Sequence, residues 1–467
     1  MQLNLTKLAS ALVLSSSLAG CAAMVRTPYE QPAVNIPSSF QNSKAANQKI
    51  HADAYADQWW TLFNDAQLNQ LISQVLDANT DLAVAGINLR QARLQAGLAQ
   101  DKQGPRVSSS ASAGHSFDLK SGDDSSKGLS LSAGVSYELD LFGKLSSQTE
   151  AAKWEALATE QDLQATAQSL IATAANLYWQ LGYLNERYIV AQQNLASTQK
   201  TYDLVKVQYK AGAVSGLDLA SAEQSVQSQK AALSQIEQQK VETRTALAVL
   251  LHEPVQQLNI AEPQRLPRIA MPNIAAGLPA DLLSRRPDLQ ASELRLRKTL
   301  ANKDATKASY YPSISLTGTL GSSSTSLTQL LQNPALALGA SLSLPFLQYN
   351  DMKKDLAISD LDYEKAIIQY RQTLYQAFAD VENALSNRTE LNKQVAFEER
   401  NVQLAEKTER LTEVRYRNGA IALKNLIDAQ KTTRDARLSL VQAKQSQYNA
   451  YVTLMQALGG SPIKPLP

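Results

Sequence analysis

The 467-residue chain is predicted to be a mixed α+β membrane protein with an internal duplication, four β-strands and very long helices. Three observations predict this fold class. Two similar stretches, YKAGAVSGLDLASAEQ from Tyr209 and YRNGAIALKNLIDAQK from Tyr416, begin 207 residues apart. Apolar and polar residues alternate in four short segments, which is typical of strands with one polar face. Residues 106–253 and 346–461 contain no proline, so long uninterrupted helices can form there.

The composition excludes several classes of function. Lys and Arg number 45 against 43 Asp and Glu, a formal net charge of +2 without long runs of like charge, so nucleic acid is not an expected partner. With three histidines and one cysteine, no His/Cys cluster can bind zinc, although metal sites made only of oxygen ligands remain open. No phosphate-binding glycine loop or nucleophile elbow occurs, so we expect neither an enzyme nor a cofactor.

Residues 1–20 are predicted to be a secretory signal peptide, with Lys7 before an apolar run and Leu-Ala-Gly before Cys21. This ending resembles a bacterial lipobox, which implies that the mature chain begins at Cys21 and carries diacylglyceryl and acyl groups there. Ala22, rather than aspartate, fits forwarding to the outer membrane. The alternative is an ordinary cleaved signal followed by an incidental cysteine. No later stretch offers the roughly 18 apolar residues of a membrane helix, so any later membrane crossing must use strands.

A duplication explains why the similarity between the two halves keeps one offset. Pro105 and Pro312, and likewise Gly212 and Gly419, are each separated by 207 residues without a gap. The predicted organisation is therefore a signal peptide (1–20), a lipidated N-terminal segment (21–66), a first repeat (67–254), a linker (255–273), a second repeat (274–461) and a C-terminal tail (462–467).

Each repeat is predicted to begin with an amphipathic helix, at about 80–104 and 287–311, that ends near a proline. Beyond the proline the hydrophobic period changes from about 3.6 to 2, which predicts β-hairpins at 107–141 and 313–347. The alternation is clearest over 129–141, where leucine, alanine, valine and tyrosine alternate with serine, glycine, glutamate and aspartate. Such strands are long enough to cross a bilayer when they are tilted.

Each β-hairpin is followed by a predicted helical hairpin, at 144–251 and 351–458. As one helix, residues 144–210 would measure about 100 Å, more than a globular core needs. Apolar residues recur there mostly at spacings of three, four and seven, with a last spacing of eleven, which predicts a coiled-coil seam: Leu163, Leu170, Leu177, Leu181, Leu184 and Leu195. Gly212 and Gly419 mark the tips where the helices turn back.

Four membrane strands per chain cannot stand alone, because their two unpaired edges would leave backbone groups without partners in hydrocarbon. The smallest closed barrels have about eight strands and a filled lumen, whereas about twelve leave an opening. We therefore expect a homotrimer that closes a hollow, twelve-stranded β-barrel. Two tips per chain would then form one ring of six.

Three motifs resemble the TolC-like outer membrane factor family: WWTLFNDAQL from Trp59 with ANTDL from Ala78, YELDLFGK from Tyr137, and LPADLLSRRPD from Leu278. With the lipobox, the chain is similar to the NodT-type lipoprotein branch, over essentially all of the mature sequence. The resemblance implies a β-barrel in the outer membrane of a Gram-negative bacterium, in contact with its lipid. The barrel would be continuous with a periplasmic α-helical coiled-coil barrel, around which the terminal segments form a belt.

The resemblance also implies a function, as the passive exit duct of a tripartite efflux pump for drugs or other small toxic compounds. Its partners would be a periplasmic adaptor protein and a proton-driven or ABC transporter of the inner membrane. The alternative cargoes are secreted proteins and metal ions, although the lack of Met- or His-rich tracts argues against dedicated copper handling. A periplasmic coiled-coil scaffold anchored only by lipid is the competing class, and the alternating strands argue against it.

The hairpin tips are the candidate gate. By the resemblance, Asp428 matches an aspartate whose three copies form an acidic ring at the narrow end of the duct. Lys424 stands where many relatives have an apolar residue, and its ammonium could neutralise this ring. Alternatively, Asp428 forms an ordinary helix-surface pair with Lys424 or Lys431. Asp218 and Glu223 are the acids beside the first tip.

The turns between the paired helices are the candidate adaptor contacts. The glycines at their starts are explained by helix termination alone, so the neighbouring residues are the ones expected to meet a partner. These are Ala213, Val214, Ser215 and Gly216 in the first turn, and Ala420, Ile421 and Ala422 in the second.

Overall fold

The computed structural model describes residues 25–42, 58–117, 124–267 and 279–460. The strands are β1 (Arg106–Phe117), β2 (Asp124–Leu139), β3 (Ser313–Ser324) and β4 (Ala335–Ser343). The α-helices are α1 (Ala66–Ala78), α2 (Thr80–Asp101), α3 (Lys144–Lys210), α4 (Gly216–Leu250), α5 (Leu282–Arg285), α6 (Pro287–Ser309), α7 (Tyr349–Arg417) and α8 (Leu423–Ala457). The predicted signal peptide (1–20), Cys21 and the predicted tail (462–467) lie outside the described residues.

Two of these helices are exceptionally long, with 67 residues in α3 and 69 in α7. The start of α3 explains the sequence YELDLFGK. The Asp140 carboxylate accepts hydrogen bonds from the backbone N–H groups of Leu145 and Ser146, at 2.9 and 2.8 Å. A negative charge at this end is stabilised by the helix dipole. Gly143 turns the chain into the helix at a φ of 78°, a conformation that suits a residue without Cβ.

Some boundaries differ from the sequence expectations by two to four residues. Helix α2 ends at Asp101 rather than at about 104, and α6 ends at Ser309 rather than at about 311. The last predicted strand ends at Ser343, and a short 3-10 helix, Pro345–Leu347, precedes α7. Pro345 explains this early end, since proline has no N–H to donate to a β-ladder.

The four strands form one antiparallel sheet in the order β1-β2-β3-β4, so the two hairpins join through β2 and β3. The register aligns the alternating patterns: Val135 lies opposite Val107 on one side and Gly318 on the other, and Gly318 lies opposite Leu338. One face is therefore mostly apolar, and the other carries serine, threonine and glycine. Among the described residues, β1 and β4 each pair along one edge only.

The chain divides into two compact units. Of the described residues, the first unit takes 25–34, 87–161 and 290–373, and it contains the sheet. The second unit takes the other described residues and contains the helical tips. In the described part of the chain, no helix is both long and apolar enough to pass through a bilayer.

An aromatic core holds the second unit together. Its rings are packed edge to face or tilted, with Phe63 4.7 Å from Trp179, Trp179 4.9 Å from Tyr448, and Phe63 4.9 Å from Tyr451 between centroids. The motif WWTLF, a 3-10 helix from Trp59 to Phe63, supplies one wall of this core. Such aromatic pairs contribute about 0.5–1.5 kcal/mol each beyond the burial of their area.

The N-terminal segment packs against helices far away in sequence. In the first unit, Thr27 donates from its backbone N and its Oγ1 to the two carboxylate oxygens of Asp304, at 2.9 and 2.7 Å. Asp304 is only 5% exposed, so these bonds satisfy a charge that would otherwise be costly to bury. The Arg297 guanidinium stacks on the Tyr29 ring at 4.3 Å. In the second unit, Asn42 donates to Glu382 from its backbone and its side chain.

Candidate functional site

Both tips begin with the same helix-ending motif. After α3, Gly212 lies at a φ of 75°, its N–H donates to Tyr209 O at 3.0 Å, and the Ala213 N–H donates to Gln208 O at 2.9 Å. Helix α7 ends in the same way at Gly419, with a φ of 70° and the two corresponding bonds at 2.9 Å. These are the two bonds of a Schellman motif, whose left-handed residue is usually glycine.

The two tips differ where the chain enters the returning helix. At the start of α4, Ser215 Oγ accepts from the Asp218 N–H at 3.2 Å, and Asp218 Oδ2 accepts from the Ser215 N–H at 3.0 Å and from its Oγ at 2.7 Å. This is a capping box. The bonds from Ser215 lower the pKa of Asp218 below its usual range. At the start of α8, Ala422 occupies the same position and provides no side-chain acceptor.

Beneath the turns, the two hairpins share a small apolar cluster, the tip cluster, of Val205, Ala222, Tyr416, Leu423 and Leu426. Tyr416 also donates from its hydroxyl to Gln208 Oε1 at 2.7 Å, which links α7 to α3. Burial, and to a smaller extent the nearby Asp218 carboxylate, raise the pKa of the Tyr416 hydroxyl. The first and second tips are therefore packed together within one chain.

The candidate gate residues of the second repeat form ion pairs along one exposed face of α8. Lys424 Nζ lies 2.6 Å from Asp428 Oδ2, with 79% and 57% of these side chains exposed. Of the two partners considered for Asp428, the structure therefore shows Lys424. Lys431 instead lies 2.8 Å from Asp435 Oδ2, and Arg434 Nε lies 3.2 Å from the other oxygen of Asp435. Exposed pairs of this kind contribute about 0.3–0.5 kcal/mol each.

Asp435 is the member of this face that sequence reasoning missed. The available signal was its position four residues after Lys431, which repeats the spacing of Lys424 and Asp428 one heptad later. The remaining gate candidate, Glu223, is exposed on α4.

The seven turn residues fall into two groups. Five of them are exposed, as a contact surface would require: Ala213, Ser215, Gly216, Ala420 and Ala422. Val214 and Ile421 are half-buried and pack against the tip cluster, so they also stabilise the turns. In the described residues, no group of His, Cys, Asp or Glu side chains is arranged to hold a metal ion.

A polar cleft of about 400 Å³ lies beside the gate residues, between the helices of the second unit. Lys431, Arg434 and Arg437 line it, with Glu409 as the acidic residue of the lining. Asn194 also lines it and is 9% exposed, and its Nδ2 has no hydrogen-bond partner in the described part of the chain. The cleft therefore offers several N–H donors and few acceptor charges.

A sequence model of the family described as Outer membrane efflux protein matches residues 71–252 and 278–460. The chain belongs to the outer membrane efflux protein family. The two matched segments begin 207 residues apart, which is the offset between the two repeats.

Individual members of the family agree with this assignment. The pyoverdine export outer membrane protein OpmQ of Pseudomonas putida is 31% identical over 462 residues, or 96% of each chain. The probable efflux pump outer membrane protein TtgC of P. putida is also 31% identical, over 97% of this chain and 95% of its own. The solved structure of the outer-membrane channel OprN matches with a TM-score of 0.84 and 27% identity, covering 93% of this chain and 98% of OprN.

Membership of the outer membrane efflux protein family confirms the predicted family, fold class and class of function. The protein has the mixed α+β fold of these channels, with four strands and long helices in each chain. It is an outer membrane channel through which compounds leave the cell, and not an enzyme.

We expect Ser215→Ala to loosen the first turn of α4, because the Asp218 N–H loses its acceptor and the carboxylate loses one donor. Loss of an N-cap costs about 1 kcal/mol, so exchange of the bonded amides of Asp218 and Leu219 should become about five-fold faster. Hydrogen-exchange mass spectrometry measures this. Ala422→Ser, the matched change in the other tip, should leave exchange in α4 unchanged. Equal exchange in wild type and Ser215→Ala would contradict the role of the capping box.

The capping box should also depend on pH. The pKa of Asp218 is lowered in the folded chain, so its stabilisation is complete above the usual aspartate pKa of about 4 and is lost as the pH falls through the folded value. The difference between Ser215→Ala and wild type should therefore shrink only below about pH 4.

Proposed function

We propose that this channel is the passive exit duct of a tripartite efflux pump and exports drugs or other small toxic compounds. It would work with a periplasmic adaptor protein and with a proton-driven or ABC transporter of the inner membrane. The names of its relatives support a small-molecule cargo, because OpmQ is a pyoverdine export protein and TtgC a probable efflux pump protein. The observation that carries the proposal is the sheet, which has one apolar face and, within the described residues, two edges without a paired strand.

The sheet supports a membrane location and a homotrimer. On its apolar face, Leu338 is 80% exposed and Leu320 is 54% exposed, although leucine is among the residues most often buried. Lipid would cover this face. The free edges of β1 and β4 would each leave backbone groups unpaired, at several kcal/mol per group in hydrocarbon. Three chains can remove all the free edges by pairing β4 of one with β1 of the next, which closes a twelve-stranded barrel.

Aromatic residues at one end of the sheet support the position of the membrane boundary. The rings of Phe142 and Tyr311 lie 4.7 Å apart, Phe346 is exposed between β4 and α7, and Tyr349 is exposed as the first residue of α7. Transmembrane β-barrels carry such rings at their interfaces with water. We propose that the helices leave the membrane at this end, toward the periplasm.

Exposed apolar faces on two helices also support the association of several copies of the chain. On α7, Phe397, Leu404 and Leu411 are largely exposed and recur every seven residues. On α2, Val84, Ile87, Leu94 and Leu98 are exposed with spacings of three, seven and four. These are the spacings of a coiled-coil seam, which requires a facing helix. Neighbouring copies of the chain would supply that helix and extend the barrel as an α-helical barrel.

We propose that the hairpin tips form the gate of this duct. In a trimer, three copies of the Lys424–Asp428 pair would surround the entrance, with Lys431 one heptad away. The separation of 2.6 Å supports a ring in which lysine balances the aspartate charge. Asp218 and Glu223 would contribute from the first tip, although Asp218 also caps α4. The exposed turn residues would contact the adaptor.

The organisation into two repeats and the lipid anchor also remain proposals. Helices α4 and α8 support the repeats, since both their first and their last residues are 207 positions apart. For the anchor, the support is the sequence, in which Leu-Ala-Gly precedes Cys21 four residues before Val25. Val25 is buried, and Thr27 is bound to Asp304, so the chain just after the lipid would be held firmly.

Replacing Asp428 with alanine should raise single-channel conductance or leakiness in planar bilayers. The change leaves Lys424 without its partner, so three lysines would repel one another at the entrance. Ser221→Ala is the matched control, because Ser221 occupies the equivalent position in the first repeat and bonds only locally, to Leu217 O at 2.8 Å. Unchanged conductance in Asp428→Ala would count against the gate.

Two neighbouring residues of β3 test the orientation of the sheet. Leu320→Asp places a charge on the apolar face and should prevent assembly of heat-resistant oligomers in the outer membrane, because a charge facing lipid is destabilising. Thr319→Asp places the same charge on the polar face and should allow assembly. Membrane fractionation with electrophoresis of unheated samples measures both. Assembly of both variants would contradict a membrane-spanning sheet. If only Thr319→Asp fails to assemble, the polar face, and not the apolar one, is toward lipid.

Mass spectrometry of the mature protein tests the lipid anchor. We expect the chain to begin at Cys21 with the added mass of diacylglyceryl and acyl groups, and we expect Cys21→Ser to lack that mass. A mature wild-type chain without added lipid would contradict the anchor and leave the channel function unaffected.

A further inference from the structure

The basic residues of the chain are not distributed evenly. Residues 413–431, the second tip, contain four basic and two acidic side chains, whereas the equivalent residues 206–224 of the first tip contain two of each. The surplus at this one tip equals the formal net charge of the whole chain, +2. The two acids of the second tip are already paired, Glu413 with Arg417 at 2.6 Å and Asp428 with Lys424 at 2.6 Å.

The cleft beside the gate is likewise lined by more basic than acidic side chains. Lys431, Arg434 and Arg437 line it with Glu409. Acids outside the lining already bind these cations in part, Asp435 to the first two and Glu406 to Arg437. The additional donor is Asn194 Nδ2, which is buried and has no acceptor among the described residues. An unpaired buried N–H group favours a ligand that brings an acceptor oxygen or an anion.

The middle of the polar face of the sheet carries no charged side chain, and Glu138, near the end of β2 on that face, is paired with Lys144 at 2.7 Å. Every residue on that face of 108–114, 128–136, 315–323 and 335–343 is serine, threonine, glycine or alanine. Some of the hydroxyls bond across the strands, with Ser110 and Ser132 2.8 Å apart. Hydroxyl groups both donate and accept hydrogen bonds, so such a wall interacts with polar solutes without selecting by charge.

We propose that the duct prefers anions, and that its cargo includes small organic molecules with a negative charge at neutral pH. This inference rests on the proposed function, in which the tips form the gate of the duct and the apolar face of the sheet faces lipid. The sign of the preference is then set at the tips, because charges there attract or repel ions near a narrow entrance. An acidic ring alone would favour cations, but in this chain Lys424 compensates the ring and Arg415 adds a positive charge.

The test is the reversal potential of the full-length channel in planar bilayers under a gradient of potassium chloride. For the wild type, the ratio of chloride to potassium permeability should exceed one. The double variant Arg415→Gln/Arg417→Gln removes the surplus at the second tip, and its ratio should fall to one or below. If the double variant fails to assemble, Arg415→Gln alone makes the same test with half of the charge change.

The matched control removes two basic residues from the same helix, away from the tip, as Lys393→Gln/Arg400→Gln. Arg400 is 15 residues before Arg415, or about 22 Å along the helix, which exceeds two Debye lengths at physiological ionic strength. The permeability ratio of this control should equal that of the wild type. A third variant, Thr319→Asp, should lower the ratio if the polar face of the sheet lines the passage.

Each outcome decides a different point. A wild-type channel that prefers potassium, or has no preference, overturns the inference and leaves the channel itself intact. The preference for chloride does not originate at the tip if it persists in Arg415→Gln/Arg417→Gln. The same conclusion holds if the control variant loses the preference equally. A protein that forms no conducting pore contradicts the proposed function, and the inference falls with it.

Discussion

The need to pair every backbone N–H and C=O group of the sheet is the constraint on which the proposed assembly depends. In the part of the chain that the structure describes, β2 and β3 are bonded along both edges, whereas the outer edges of β1 and β4 have no paired strand. In water these edges could bond to solvent, whereas in hydrocarbon they could not. The seams of α2 and α7 support the same conclusion, since their apolar residues are exposed among the residues that the structure describes. Association therefore follows from incomplete pairing in the strands and in the helices.

The tips show how a duplicated sequence can acquire two different local stabilities. The helix ends before the turns are alike, because both glycines adopt the same left-handed conformation and both make the same pair of hydrogen bonds. The helix starts after the turns differ, since Ser215 and Asp218 form a capping box whereas Ala422 cannot. The second tip thus has fewer hydrogen bonds holding its turn, and it also has the greater positive charge. In the proposed gate, the more easily moved tip is the more highly charged one.

The aromatic core and the N-terminal segment have a different role from the tips. The core rings hold together the helices of the second unit through large buried surfaces that leave little freedom to move. The two bonds from Thr27 to the buried Asp304 attach the segment after the proposed lipid to α6. Stability is thus concentrated away from the exposed turns and ion pairs of the tips. Elements that move are usually drawn from the less stable parts of a structure.

The sequence by itself determined the features that depend on local chemistry: the long helices α3 and α7, the left-handed glycines at 212 and 419, the alternating strands and the repeat offset. Proline position, helix termination and side-chain periodicity act over a few residues, so they can be predicted without a fold. Only the tertiary structure decided which strands join, with Val135 opposite Gly318 across the two halves. It also decided that Thr27 binds Asp304, 277 residues away, and that Lys431 pairs with Asp435 although Asp428 is one residue nearer in sequence. These choices depend on contacts between distant segments and on side-chain rotamers, which local patterns leave open.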